Sequence, residues 1–176
     1  MIILVLLEVT NLNTKIKVGF FGCKNITKDT MKRFLNNVMN IDYLITIDKN
    51  LGDKNQVAGY MNLSKFCKKN DIKIYHCDKY SQSKKDIKNI LDFNIDIAFS
   101  IGWQRIIKKN ILDNIKYGVY GMHGSSDDLP KGRGRSPMNW ALILNKNYFF
   151  TNLFKYDSGI DSGGIVNTKK FSINKW

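Results

Sequence analysis

From Lys17 to Leu144 the chain alternates short apolar runs with amphipathic stretches, and this alternation limits the possible folds more than any other feature. Lys17-Val-Gly-Phe-Phe-Gly22 is an apolar run closed by glycine and reads as a buried strand. Residues 27 to 39 then place Met31, Phe34, Leu35 and Val38 on one helical face. Ile41 to Ile47 gives a second strand, a polar loop runs through Asn55, and residues 60 to 70 read as a helix before the third strand, Ile72 to His76. Ser83 stands where an N-cap belongs, at the head of an amphipathic helix reaching Leu91. Ile95 to Ile101 is a strongly apolar fourth strand, and residues 105 to 115 form another predicted helix. Val119 opens a fifth strand that ends near His123, and Pro137 suits the first turn of a helix over Met138 to Leu144. Phe149 to Phe154 and Gly164 to Phe171 read as strands separated by the turn from Asp157 to Gly163. Strand and helix in alternation predict an α/β fold: a doubly wound, mainly parallel, Rossmann-like sheet with an antiparallel C-terminal strand pair and its ligand at the carboxyl ends of the strands.

A chain of 176 residues suits one domain with one core. The apolar opening, Met1 to Leu7, is stopped by Glu8, well short of the roughly 20 residues that span a bilayer. No basic region precedes it and no clear cleavage site follows, so the expected location is cytoplasmic, away from membranes. Residues 1–14 are expected to be an N-terminal extension and residues 15–176 the functional domain. Cys23, Cys67 and Cys77 match neither zinc-site nor disulfide spacing and read as buried hydrophobes. His76-Cys77-Asp78 is a poor ligand set, and no metal is expected.

Twenty-eight basic against fifteen acidic residues give a net charge of +13, which draws phosphates, nucleotides or nucleic acid by long-range steering. The lysines are scattered among asparagines and isoleucines, as a compositional bias also produces, so charge alone leaves the partner open. Gly19-Phe-Phe-Gly22 lacks the third glycine of a dinucleotide fingerprint, and the chain has no Gly-Lys-Ser/Thr phosphate loop, which disfavours a dehydrogenase or kinase. No aromatic-basic RNA signature is present.

The candidate chemistry gathers around His123, one of two histidines, at a strand end flanked by glycines in Gly118-Val-Tyr-Gly-Met-His-Gly-Ser125. An imidazole there can shuttle protons near neutral pH. It precedes Leu129-Pro-Lys-Gly-Arg-Gly-Arg-Ser-Pro137, where the guanidinium forks of Arg133 and Arg135 suit oxyanions, and the acidic turn at Asp161. Asp127 and Asp128 are candidates to pair with those arginines, Asp157 reads as a turn former, and Trp103 and Trp140 read as packing residues.

Three segments in order, Ile101-Gly-Trp-Gln-Arg-Ile-Ile107, His123-Gly-Ser125 and Tyr156-Asp-Ser-Gly-Ile-Asp-Ser-Gly163, resemble the folate-dependent formyltransferases. That family includes the glycinamide ribonucleotide, methionyl-tRNA and nucleotide-sugar N-formyltransferases. The resemblance covers residues 15 to 171 and is most specific from Leu129 to Ala141. It implies that His123 and Asp161 flank the reacting centre. It also implies that Gln104, Arg105, Ile106 and Ile107, with the turn Ser158, Gly159 and Ile160, hold the pterin largely through backbone groups. The implied donor is 10-formyltetrahydrofolate, with no metal, and the implied acceptor is a primary amine contacted by Ser125, Arg133, Arg135 and Asn139. A nucleotide-linked amino sugar is the first expectation and methionyl-tRNA the second. The glycinamide ribonucleotide branch comes third, because the first-strand loop lacks its phosphate-binding pattern. A non-catalytic folate- or nucleotide-binding remnant is the alternative of another class.

Two departures stand out. Gly121 occupies the position of the asparagine in the family's Asn-x-His-x-Ser pattern, whose amide helps bind the formyl oxygen. A backbone amide, a water or Asn139 would have to supply that donor. The approach Ser126 to Pro130 is also longer than the family's. The family domain normally continues past the strand matching residues 164 to 173, so a shortened domain, with a sheet face free to associate into a homodimer, is a further expectation.

Overall fold

Strand β1 (Val18–Phe21) is buried at all four positions, as its apolar composition requires, and its side chains divide between two faces. On one face the rings of Phe20, Phe34 and Phe99 meet with centroids 5.4 Å apart in every pair. On the other, Phe21 lies edge-on to Trp103 at 6.0 Å. Each such buried ring contributes roughly 1.5–3 kcal/mol, so this aromatic core anchors the sheet.

The computed structural model describes residues 16–173, which fall into two compact units, residues 16–119 and 120–173. The predicted N-terminal extension lies outside the described residues. In the first unit β1 is followed by α1 (Asn25–Asn37), β2 (Tyr43–Thr46), α2 (Lys49–Lys54), α3 (Ser64–Lys69), β3 (Lys73–His76), α4 (Lys84–Asp92), β4 (Ile97–Ser100) and α5 (Lys109–Asn114). Its strands lie in the order β3-β2-β1-β4, all parallel, with Val18 opposite Ile97 and Gly19 opposite Tyr43. The chain winds outward from β1 to β3 and returns to place β4 on the other side of β1. The order therefore reverses between β1 and β4, the switch point at which doubly wound sheets take their ligands.

The second unit contains most of β5 (Gly118–Ser125), α6 (Pro137–Ile143), β6 (Tyr148–Lys155) and β7 (Ile165–Ser172). Tyr120 to Ser125 run antiparallel to β6, and β6 runs antiparallel to β7. The antiparallel part thus has three strands where the sequence predicts a pair, because β5 takes β6 as a neighbour as well. The α/β class and the parallel winding are as predicted.

Local differences have local causes. Helix α2 falls in the predicted polar loop: it is only six residues long, too short to show apolar periodicity, and is fixed by Asp48, whose carboxylate accepts from the Leu51 amide at 2.7 Å. Ser83 caps α4 as predicted, in a reciprocal capping box with Asp86. Helix α5 starts at Lys109 rather than at 105, because the preceding residues are held in an irregular loop. Trp140 is 55% exposed, so the packing role expected of it is not observed, whereas Trp103 is buried. All three cysteines are free and buried, and burial pushes the Cys67 thiol up to about 11 and that of Cys77 higher still, so both stay protonated. Among the described residues no helix is long and apolar enough to cross a membrane.

Candidate functional site

The loop from Ile101 to Lys108 leaves the carboxyl end of β4, beside the point where the strand order reverses. Two buried side chains from the β3–α4 connection hold it. The Tyr80 hydroxyl accepts from the Gln104 amide at 2.9 Å, and Gln82 Oε1 accepts from the Lys108 amide at 3.0 Å. Burial pushes the Tyr80 phenol well above the ordinary tyrosine range, so it remains a neutral hydroxyl. Trp103 lies edge-on to the Tyr80 ring at 4.7 Å, and the Arg105 guanidinium covers the same ring at 4.8 Å while donating to Asn55 at 3.3 Å. Ile107 is buried as the loop's anchor, whereas Gln104, Arg105 and Ile106 are exposed. Such a loop offers solvent its backbone and Ile106, on a base fixed from below.

In the second unit, strand alternation directs Gly121, His123 and Ser125 to one face of β5. The His123 side chain is 13% exposed and bonded at one end only: Nε2 lies 3.2 Å from the Gly132 carbonyl, which can only accept, so Nε2 carries a proton. Nδ1 faces Asp161 Oδ2 at 3.6 Å, too long for a hydrogen bond but within ion-pair range once the ring takes up a proton. The two residues singled out as catalytic, distant in sequence, thus meet in space.

Asp161 sits in the left-handed region at φ 49°, a conformation that aspartate tolerates at modest strain. Its Oδ2 also accepts from the Gly134 amide at 3.4 Å. Gly134 itself has φ 105° and open space around it, so backbone conformation alone requires glycine there. The turn before Asp161 is organised by Asp157, as predicted. Its carboxylate accepts from the Ser162 hydroxyl and, at 2.9 Å, from the Gly159 amide, and these bonds, the Ser162 hydroxyl first, hold it below the usual carboxylate range. Ser158, Gly159 and Ile160 are exposed on that turn.

Arg133, Arg135 and Asn139 are exposed. Asp127 pairs with Lys146 at 3.2 Å, in place of the arginine partner expected for it. Ser125 is fully buried, and its hydroxyl accepts from Asn152, so its side chain supports the strand and is not presented to an acceptor. Asn152 is a residue that sequence reasoning missed. Buried in β6, its amide donates to Ser125 Oγ at 3.1 Å and to the His123 carbonyl at 3.4 Å, while its oxygen accepts from Thr168 at 2.7 Å. A polar residue inside an apolar strand was the available signal. Tyr80 and Gln82, also missed, carried none. Among the described residues no group of three histidine, cysteine or acidic side chains could hold a metal ion.

No family model matches the chain. It is 25% identical over 159 residues to a methionyl-tRNA formyltransferase of Clostridium botulinum, covering 90% of this chain and 50% of that protein. The chain spans about half the length of the curated relatives that it matches over most of its own length. Among solved structures, it is 27% identical to the sugar 3N-formyltransferase WlaRD, solved with dTDP and 5-N-formyl-THF. The TM-score is 0.62, over 92% of this chain and 54% of that one. Its fold matches phosphoribosylglycinamide formyltransferase from Bacillus halodurans with a TM-score of 0.69 at 18% identity, over 90% and 81% of the two chains. With the motifs in the expected order and His123 set against Asp161, these likenesses show that the chain belongs to the folate-dependent formyltransferase family.

Proposed function

We propose that this chain carries the catalytic part of an N-formyltransferase, moving a formyl group from 10-formyltetrahydrofolate to the primary amine of a nucleotide-linked amino sugar. The observation that carries the reading is the His123 ring, with Gly132 at one nitrogen and Asp161 at the other. As the amine attacks the formyl carbon, His123 takes up the amine proton at Nδ1, where the Asp161 carboxylate opposes the imidazolium charge. The ring then returns that proton to the departing folate nitrogen as the carbon–nitrogen bond breaks, so no proton is left over. Asp161 remains a carboxylate throughout.

The loop Gln104, Arg105, Ile106 and Ile107 and the turn Ser158 to Ile160 are assigned to the pterin. Two observations support the loop as a polar ligand's seat. It is held in shape by Tyr80 and Gln82, and at its start Ser100 Oγ and Trp103 Nε1 are buried without a hydrogen-bond partner among the described residues. The exposed arginines Arg133 and Arg135 and the amide of Asn139 are assigned to the acceptor, since paired guanidinium forks suit a diphosphate. The WlaRD likeness and its bound dTDP favour the same class. Curated relatives named methionyl-tRNA formyltransferase favour tRNA as the second reading, which the net charge of +13 suits equally.

Thermal denaturation with 5-formyltetrahydrofolate tests the donor site. At about 100 times its dissociation constant the ligand adds about 2.7 kcal/mol of stability, raising Tm by roughly 5–10 °C. Transfer assays with dTDP-linked amino sugars and with methionyl-tRNA then decide the acceptor. Absence of both a folate shift and formyl transfer would overturn the reading. Tyr80→Phe removes the hydroxyl under the Gln104 amide and is expected to raise KM for the folate donor by about tenfold, or 1.4 kcal/mol, with kcat within about twofold. Steady-state kinetics varying the folate at saturating amine measures it, and an equal loss in kcat would contradict a purely positional role.

A further inference from the structure

Gly121 is the one position on the His123 face of β5 that lacks a side chain, and the space above it is filled. A Cβ built on Gly121 would collide with the Tyr156 hydroxyl and the ring carbons beside it. Gly121 is not among the glycines with positive φ, so its backbone does not ask for glycine, whereas the neighbouring phenol does. The strand register explains the approach. Gly121 lies opposite Phe154 on β6, and Tyr156 is two residues further on the same face, a diagonal neighbour within reach of an aromatic side chain. The Phe154 ring, buried and 5.1 Å from that of Tyr156, braces it. Alternate residues of a strand are on the order of 7 Å apart along one face, so the Tyr156 hydroxyl stands in the row of His123, one place before it.

We infer that the Tyr156 hydroxyl is a catalytic hydrogen-bond donor, directed at the formyl oxygen as the carbonyl opens to a tetrahedral centre. The inference rests on the formyl-transfer reading and deepens it. Attack by an amine on a formyl carbon puts negative charge on that oxygen, and a preorganised donor beside the proton shuttle lowers the barrier. The other uncharged donors around His123 are already engaged. The Asn152 amide serves Ser125 and the His123 carbonyl, and the Ser125 hydroxyl is buried. The phenol gives up no proton in the step. Its O–H bond is kept while the oxygen gains and then loses charge, and the proton that moves travels through His123. Tyr156 and Gly121 act as a pair, the missing side chain of one making room for the hydroxyl of the other.

Tyr156→Phe keeps the ring and deletes the donor. In a wild type that transfers formyl, it is expected to lower kcat by about 10²-fold, with KM for folate and amine within about threefold and Tm unchanged. Gly121→Asn alone is expected to lose activity through its clash with the ring. Gly121→Asn combined with Tyr156→Val, which replaces the phenol by an amide at the same place, should recover kcat to within about tenfold of wild type. Wild-type kcat in a folded Tyr156→Phe protein overturns the inference and leaves the formyl-transfer reading standing. If Tyr156→Phe does not fold, the double variant decides, and no transfer by it when folded overturns the inference. A wild type that binds no folate and transfers no formyl group fails at the earlier reading and takes this one with it.

Discussion

His123→Asn is expected to lower kcat for formyl transfer by about 10² to 10⁴ while leaving Tm nearly unchanged. The replacement is small and polar, and its amide can still donate to the Gly132 carbonyl, the one hydrogen bond that the His123 ring makes. What it cannot do is accept the amine proton and pass it on. The loss should therefore fall on kcat, with little change in binding of either substrate. Asp161→Asn keeps the shape of the turn but removes the negative charge 3.6 Å from Nδ1. It should cost less than His123→Asn, because the proton acceptor itself is still present. Combining the two should be no worse than His123→Asn alone, since a carboxylate whose task is to oppose the imidazolium has none once the imidazole is gone. Single-turnover rates of the three variants measure this, and additive losses would show that Asp161 acts independently of His123.

How much of this was legible in the chain depends on how far apart the cooperating residues lie. Strands β1 and β4 were visible because every residue in them is apolar, and α4 because its cap and its apolar face fall within ten residues. Helix α2 was not, because its signal is one aspartate and one amide. The shape of the loop from Ile101 to Lys108 was invisible, since it is imposed by hydrogen bonds from Tyr80 and Gln82, 24 and 26 positions earlier. His123 and Asp161 could be named from their motifs, but their meeting depends on a left-handed residue at 161 and on the turn that Asp157 ties. Gly121 looked like a deletion in the sequence. Only the register of β5 against β6 shows that its space belongs to Tyr156.

The largest expected effect on stability comes from Asp86, a residue that touches no ligand in this reading. It is fully buried, and its carboxylate accepts from the Tyr75 hydroxyl at 2.9 Å and from the amides of Asp78, Lys79 and Ser83 at 2.8, 3.2 and 2.7 Å. Burial pushes this carboxyl up, but the bonds from Ser83, Asp78 and Tyr75 outweigh burial and hold it below its ordinary value. Because the folded form binds its proton less readily than the unfolded chain, its contribution is present above the unfolded pKa of about 3.9 and is lost as pH falls through the lowered folded value. Asp86→Ala strands four donors and is expected to destabilise the protein by about 3 kcal/mol, a large share of the 5–15 kcal/mol typical of a domain, or roughly 6–12 °C in Tm. It should also flatten the acid side of the stability profile. Urea unfolding between pH 3 and pH 7 measures both, and an acid limb as steep as that of wild type would contradict the assignment. The same carboxylate organises the segment that carries Tyr80 and Gln82, and these hold the Gln104 and Lys108 amides. Asp86→Asn, milder in its effect on folding, should therefore raise KM for the folate donor with kcat little changed, so that a residue of the β3–α4 turn is felt at the loop after β4.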